Sequence, residues 1–189
     1  MNKKIMEMKW EILKSEQLFN DLWFKVRKDT CKTPQGKIVD PYYVYEFPTW
    51  VTCFALTADN KVVMELQYRH AIGETCWEIP GGCVDDTDDN LEFAIKRELL
   101  EETGYEFENF EYLGKTCANP STNNNWMHMF LARGGKKTAD QSLDENEEIH
   151  VELMDLEVFK EKFRNNEFIQ SMHVTCMLYA LMKLGELKV

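Results

Sequence analysis

The run Arg97-Glu98-Leu99-Leu100-Glu101-Glu102-Thr103-Gly104-Tyr105, a short distance after Pro80-Gly81-Gly82, constrains this chain more than any other segment. Glu98 and Glu102 are four residues apart, and Glu98 and Glu101 are three apart. On a helix those spacings put all three carboxylates on one side. Like charges that close repel unless something cationic sits among them. Clustered oxygen donors suit hard cations such as Mg²⁺ or Mn²⁺, and a cation held this way commonly serves a phosphate substrate. A Glu-Glu pair alone would read as a solvated helix face. Here Arg97 stands four residues before Glu101, where it can pair with it and fix its orientation. Gly104 is a natural helix stop. Gly81 and Gly82 let the backbone approach a ligand closely.

The rest of the sequence narrows the setting. Its 189 residues fit one domain with a small added element, and an apolar fraction of 44% supports a real core. A net charge of -11 argues against nucleic-acid backbones and anionic membranes as partners. It also means that an anionic substrate needs a metal or local basic groups. The N-terminus carries no long apolar run, so neither a signal peptide nor a membrane span is expected, and a cytoplasmic location follows. The six cysteines show neither C-x-x-C nor zinc spacing, so free thiols are expected. Cys83, beside the glycines, reads as a filler of the loop.

Strand signals come first along the chain. Trp10 to Leu13, Leu22 to Lys28 and Ile38 to Tyr45, with a turn at Thr33-Pro34-Gln35-Gly36, predict a small antiparallel sheet. Val51 to Leu56 and Val62 to Tyr68 flank Ala58-Asp59-Asn60 as a hairpin. Asp89-Asn90-Leu91-Glu92 resembles a capping box, with Leu91, Ala94, Ile95 and Leu99 as the apolar stripe of the helix that follows. Phe110 to Cys117, Trp126 to Ala132 and Ile149 to Met154 read as strands. Leu156 to Arg164 and Ser171 to Leu184 read as helices, the second stopped by Gly185. This order predicts an α/β protein with a mixed sheet between helices. The expected division is residues 1–48 for the N-terminal sheet and 49–189 for the main domain.

The acidic segment resembles the Nudix box, G-x5-E-x7-R-E-U-x-E-E-x-G-U with U apolar. Arg97 to Gly104 match every fixed position, and Tyr105 takes the last apolar place. Counting back from Arg97 puts Asp89 at the first Glu, which leaves the loop from Gly82 one residue longer than the pattern. The resemblance implies a Nudix-type α/β/α sandwich. It also implies an Mg²⁺ or Mn²⁺ site from Glu98, Glu101, Glu102 and the backbone carbonyl of Gly81, with Arg97 orienting a glutamate and Gly82 beside the substrate.

Two further stretches are similar to the ADP-ribose pyrophosphatase subgroup. Gln67-Tyr68-Arg69-His70 implies Arg69 as a diphosphate contact. Asp144-Glu145-Asn146-Glu147-Glu148 implies a loop carrying the base that activates water, Glu145 first and Glu147 second, the latter also as a further ligand. The subgroup's N-terminal sheet packs between two subunits and offers an aromatic to the nucleobase. That makes a homodimer the expected assembly and Trp23 or Phe24 the candidate aromatic. The implied activity is metal-dependent hydrolysis of a nucleoside diphosphate sugar, ADP-ribose first. The alternatives are GDP-mannose or nucleoside triphosphate hydrolysis, or a non-catalytic ligand-sensing module. Retention of all three glutamates speaks against the last.

Overall fold

The computed structural model describes residues 8–187. The first seven residues, on which the expectation of no apolar leader partly falls, lie outside that range. By contacts the chain forms two units, residues 1–47 with 119–125, and residues 48–118 with 126–189.

The first unit is a three-stranded antiparallel sheet in the order β1 (Glu11–Asn20), β2 (Lys25–Lys32), β3 (Ile38–Glu46). Arg27 holds its middle together by reaching Asp29 at 3.1 Å and Glu46 at 2.7 Å. The segment 119–125 adds to it through Tyr45 N–H to the Thr122 carbonyl and Asn124 N–H to the Tyr45 carbonyl. The expected strand from Leu22 begins only at Lys25. Leu22, Trp23 and Phe24 form the turn between β1 and β2 instead, with Asp21 capping it through bonds to Phe24 and Trp23. Apolar residues in that stretch imitated a half-buried strand, although Leu22 and Trp23 are 79% and 78% exposed.

The second unit is a mixed sheet of seven strands between two helical layers. Its path is β10 (Ile149–Asp155), β5 (Lys61–Arg69), β4 (Trp50–Thr57), β9 (Met127–Lys137) and β7 (Tyr105–Glu106). β6 (Glu74–Glu78) pairs with β5, and β8 (Asn109–Thr116) pairs with β9. β4 and β9 run parallel, and the other pairs run antiparallel. Alternation along β4 sorts the core. Val51, Cys53 and Ala55 face Ala94, Ile95 and Leu99 of α1 (Leu91–Thr103). Phe54 and Leu56 face Phe159 of α2 (Leu156–Arg164) and Cys176, Met177 and Ala180 of α3 (Ser171–Leu184). The expected α/β/α sandwich is therefore the observed one. No helix among the described residues is long and apolar enough to cross a membrane.

One irregularity creates the site. β4 pairs with β5 only at their hairpin end, Leu56 with Val62. Further along, the chain leaving β6 fills the widening gap. Cys53, Val51 and Val84 donate to the carbonyls of Pro80, Gly82 and Thr49, so the glycine segment lies against the middle strand of the sheet.

Candidate active site

The buried face of α1 ends in carboxylates. Ala94, Ile95 and Leu99 are fully buried, and the same face continues to Glu98 at 9% and Glu102 at 5% exposure. The helix is held at both ends. Asn90 caps it by accepting from Phe93 N–H at 2.9 Å, one residue later than the expected cap at Asp89. Gly104 closes it in the left-handed conformation, φ 74°, donating to the Leu100 carbonyl.

The glycine segment sits directly on these acids. Gly81 N–H donates to Glu102 Oε2 at 2.9 Å. A Cβ on Gly82 would stand 2.5 Å from Glu98 Oε1, so only glycine lets backbone and carboxylate lie this close. Pro80 and Gly82 turn their carbonyls toward β4.

Arg97 fastens loop to helix. It donates to Asp88 Oδ1 and Oδ2 at 3.1 and 3.0 Å, to the Cys83 carbonyl at 2.9 Å and to Glu101 Oε2 at 2.9 Å, and it lies 3.1 Å from Glu98 Oε1. The loop carboxylate in this clamp is Asp88, whereas Asp89 is exposed. Counting forward from Gly82 puts Asp88 at the box's first acidic place. The extra residue therefore falls between Asp88 and the helix, not in the loop beside the glycines.

The electrostatics are those of acids crowded out of water. Burial, opposed by Arg97 and reinforced by Glu101 and Glu147, raises the Glu98 carboxyl to about 7. Burial, then Glu65 and Glu98, raises Glu102 well above the ordinary range. Glu65 of β5 is raised to about 8, first by burial and then by Glu78. It is 4% exposed, and its Oε1 has no hydrogen-bond partner. A divalent cation would reverse this balance, because it favours the charged form of every carboxylate around it. The donor set is all oxygen, as Mg²⁺ and Mn²⁺ require, and the orphaned Glu65 oxygen is what a cation would satisfy. Among the described residues no three His, Cys, Asp or Glu side chains stand in an arrangement that could by itself hold a metal ion. Burial pushes the Cys83 thiol up, away from the reactive thiolate, so only its backbone carbonyl joins the clamp through Arg97.

Beside the glycines lies a cavity of about 280 Å³ lined by Trp50, Arg69, Gly81, Gly82, Met127 and His173, among others. Arg69 is gripped there by Glu78, Nε and Nη2 donating at 2.8 and 2.5 Å. That leaves further donors of its five for an anion. His173 Nδ1 stands 3.4 Å from Glu78 Oε2, and burial lowers this imidazole to about 4, so it is neutral.

Of the acidic-loop candidates, Glu147 is half-buried and accepts from Asp144 N–H at 3.1 Å, and its charge reaches Glu65, Glu98 and Glu102. Glu145 is exposed. Trp23 belongs to the other unit, on the β1–β2 turn. Sequence reasoning passed over Glu65, Glu78 and Asp88. For Glu65 the signal was there: a lone acid inside the apolar run Val62-Val63-Met64-Glu65-Leu66.

A glycine segment clasped between a mixed sheet and a helix whose buried face ends in glutamates defines a Nudix-type α/β/α hydrolase fold. Residues 47–172 match the NUDIX domain model, and residues 10–45 match the model for the nucleoside diphosphate sugar hydrolase N-terminal domain. The chain thus belongs to the Nudix family and is a Nudix hydrolase.

Among curated relatives, the methanol dehydrogenase activator of Bacillus methanolicus is 34% identical over 145 residues, 76% of this chain and 76% of that protein. The ADP-ribose pyrophosphatase of Mycobacterium tuberculosis is 30% identical over 128 residues, 68% of this chain and 61% of that protein. The ADP-ribose pyrophosphatase of Bacillus subtilis is 28% identical over 143 residues, 75% and 76% of the two chains. The crystal structure of an ADP compounds hydrolase superposes with a TM-score of 0.80 at 19% identity, covering 95% of this chain and 97% of that one, which bears on the fold alone.

Proposed function

We propose that the protein hydrolyses the diphosphate bond of a nucleoside diphosphate sugar, ADP-ribose or another ADP sugar, with Mg²⁺ or Mn²⁺ bound at Glu98, Glu101, Glu102 and the Gly81 carbonyl. The observation that carries this reading is the pair of buried glutamates, Glu98 and Glu102, beneath Gly81-Gly82 and next to a cavity that Arg69 enters. The N-terminal match to nucleotide-sugar hydrolases and the names of the relatives support the substrate class.

When bound, the cation neutralises charge on the diphosphate and makes water a stronger nucleophile at neutral pH. The remaining work falls to the chain. Arg69, held in one orientation by Glu78, offers its free donors to a phosphate oxygen. Arg97 keeps Glu101 and Glu98 turned toward the loop. Glu147, already within electrostatic reach of the box glutamates, accepts the proton of the attacking water, and Glu145 is the alternative base. Trp50, Met127 and Met172 wall the cavity with apolar surface that suits the face of a sugar or base. The N-terminal sheet, with its exposed aromatics, pairs two copies of the chain.

The test is a panel of nucleoside diphosphate sugars, GDP-mannose and nucleoside triphosphates, each with Mg²⁺ and with Mn²⁺, and with the products identified. ADP-ribose cut at the diphosphate to AMP and ribose 5-phosphate is the expected result. Turnover of triphosphates alone, or of nothing in the panel, overturns the proposal.

A further inference from the structure

We infer that Glu65 is an additional anionic ligand of the divalent-cation site, reaching the box glutamates from the sheet below them. This rests on the cation site proposed above.

The position of Glu65 is set by strand alternation. Val63 packs with Ala94, Ile95 and Leu99 against α1, and Glu65, two residues on, shares its side of β5. Its partner across on β10 is Val151, and its partner across on β6 is Glu78. Neither supplies a positive charge. Arg69 lies near enough to act on Glu65, but its hydrogen bonds go to Glu78. Among the described residues Glu65 has no salt-bridge partner, and its Oε1 accepts no hydrogen bond although the residue is almost wholly enclosed.

A carboxylate in that position is costly to bury, and a valine like its neighbours would fill the space without the cost. The groups whose charges reach it are Glu78, Glu98, Glu102 and Glu147, with Arg69 as the only cation among its named neighbours. Three of these acids belong to the proposed metal and water-activating set. A buried oxygen without a partner, within electrostatic reach of the carboxylates proposed above to hold a hard cation, is explained by the same cation. The consequence is one more negative charge at the site than the box supplies. That favours two divalent ions over one, or a tighter single ion.

The experiment measures Mn²⁺ binding to the full-length chain without substrate, by the loss of the free-Mn²⁺ electron paramagnetic resonance signal. The Mn²⁺-induced rise in melting temperature is followed alongside. Glu65→Gln keeps shape and hydrogen-bonding capacity but cannot become anionic. Its expected Mn²⁺ affinity is at least about tenfold weaker, or one bound ion fewer, with a smaller thermal shift. The metal-free melting temperature should match or exceed that of the parent and reads the fold separately. Glu65→Asp keeps the charge at shorter reach, and its loss should be intermediate.

Glu102→Gln serves as the control. If it weakens Mn²⁺ binding while Glu65→Gln and Glu65→Asp bind like the parent, the inference is overturned and Glu65 is only a neutral neighbour of Glu102. If Glu102→Gln also binds like the parent, the cation site itself is misplaced and both readings fall.

Discussion

Gly82→Ala should damage the site while sparing the fold, and the reason can be worked from the geometry. The added methyl would stand 2.5 Å from Glu98 Oε1 and 2.8 Å from Oε2, while ordinary contact begins near 3.4 Å. The carboxylate must therefore retreat by roughly 0.9 Å, the gap between those distances. It can, because it is the far end of a flexible side chain. Gly82 has no positive φ, so alanine brings no backbone strain. Stability should consequently stay within about 1 kcal/mol of the parent. If Glu98 is the metal ligand proposed above, a displacement of that size costs on the order of 10²-fold in rate, about 2.7 kcal/mol of barrier.

Gly81→Ala is the contrasting case. Its methyl would collide with the Val51 carbonyl and would lie 2.6 Å from Thr52 Cα, both backbone atoms of the central strand. The sheet must give, and the melting transition should fall sharply or disappear. Differential scanning calorimetry of the metal-free proteins, with kcat/KM on the best substrate of the panel, separates the two variants. Gly82→Ala with parental kcat/KM, or unfolded as readily as Gly81→Ala, would refute this account of the glycine pair.

Other outcomes follow from the same geometry. Glu147→Gln should lower kcat by at least about 10²-fold with little change in KM, and Glu145→Gln should lower it less, as read from steady-state kinetics at saturating Mg²⁺; the opposite ranking reverses their roles. His173 is neutral in the fold with its imidazole lowered to about 4, facing Glu78 and Arg69, whereas the unfolded chain titrates near 6.5. Between those values the unfolded state binds the extra proton, so stability falls as pH drops through that window, by up to roughly 3 kcal/mol. His173→Gln should flatten that limb of the stability-versus-pH curve, and an unchanged slope would contradict the burial argument. The N-terminal unit exposes Ile12, Phe19, Leu22, Trp23 and Phe24, a surface that pairing of two chains would cover. Light scattering at micromolar concentration should report a dimer, and a fully active monomer counts against both the pairing and a shared nucleobase site.

The sequence was most legible where one local rule decided the outcome. The α1 stripe, its stop at Gly104, and the spans of α2 and α3 all follow from periodicity and capping within a few turns of chain. It was least legible where meaning came from distant neighbours. β7 is two residues long and exists because β9 continues past Ala132 to Lys137, which no pattern within Tyr105–Glu106 announces. The turn at Leu22–Phe24 passed for a strand because apolar residues normally signal burial, and here they face outward. In the site, the box glutamates and Arg97 could be read from spacing on one helix. Asp88 was displaced by one place through counting from the wrong end. Glu65, Glu78 and His173 come from β5, β6 and α3, and only the folded sheet brings Glu78 between Arg69 and His173.

The way the glycine segment replaces β5 beside β4 has a dynamic consequence. The amides of Val51 and Cys53, in the middle of the sheet, are bonded to the carbonyls of Gly82 and Pro80 rather than to another named strand. To swing the glycines outward, the molecule would have to break bonds of its most enclosed strand. Hydrogen exchange at Val51 and Cys53 should thus be as slow as global unfolding, and their protection reports on the glycine segment directly. That segment is a fixed floor, not a lid.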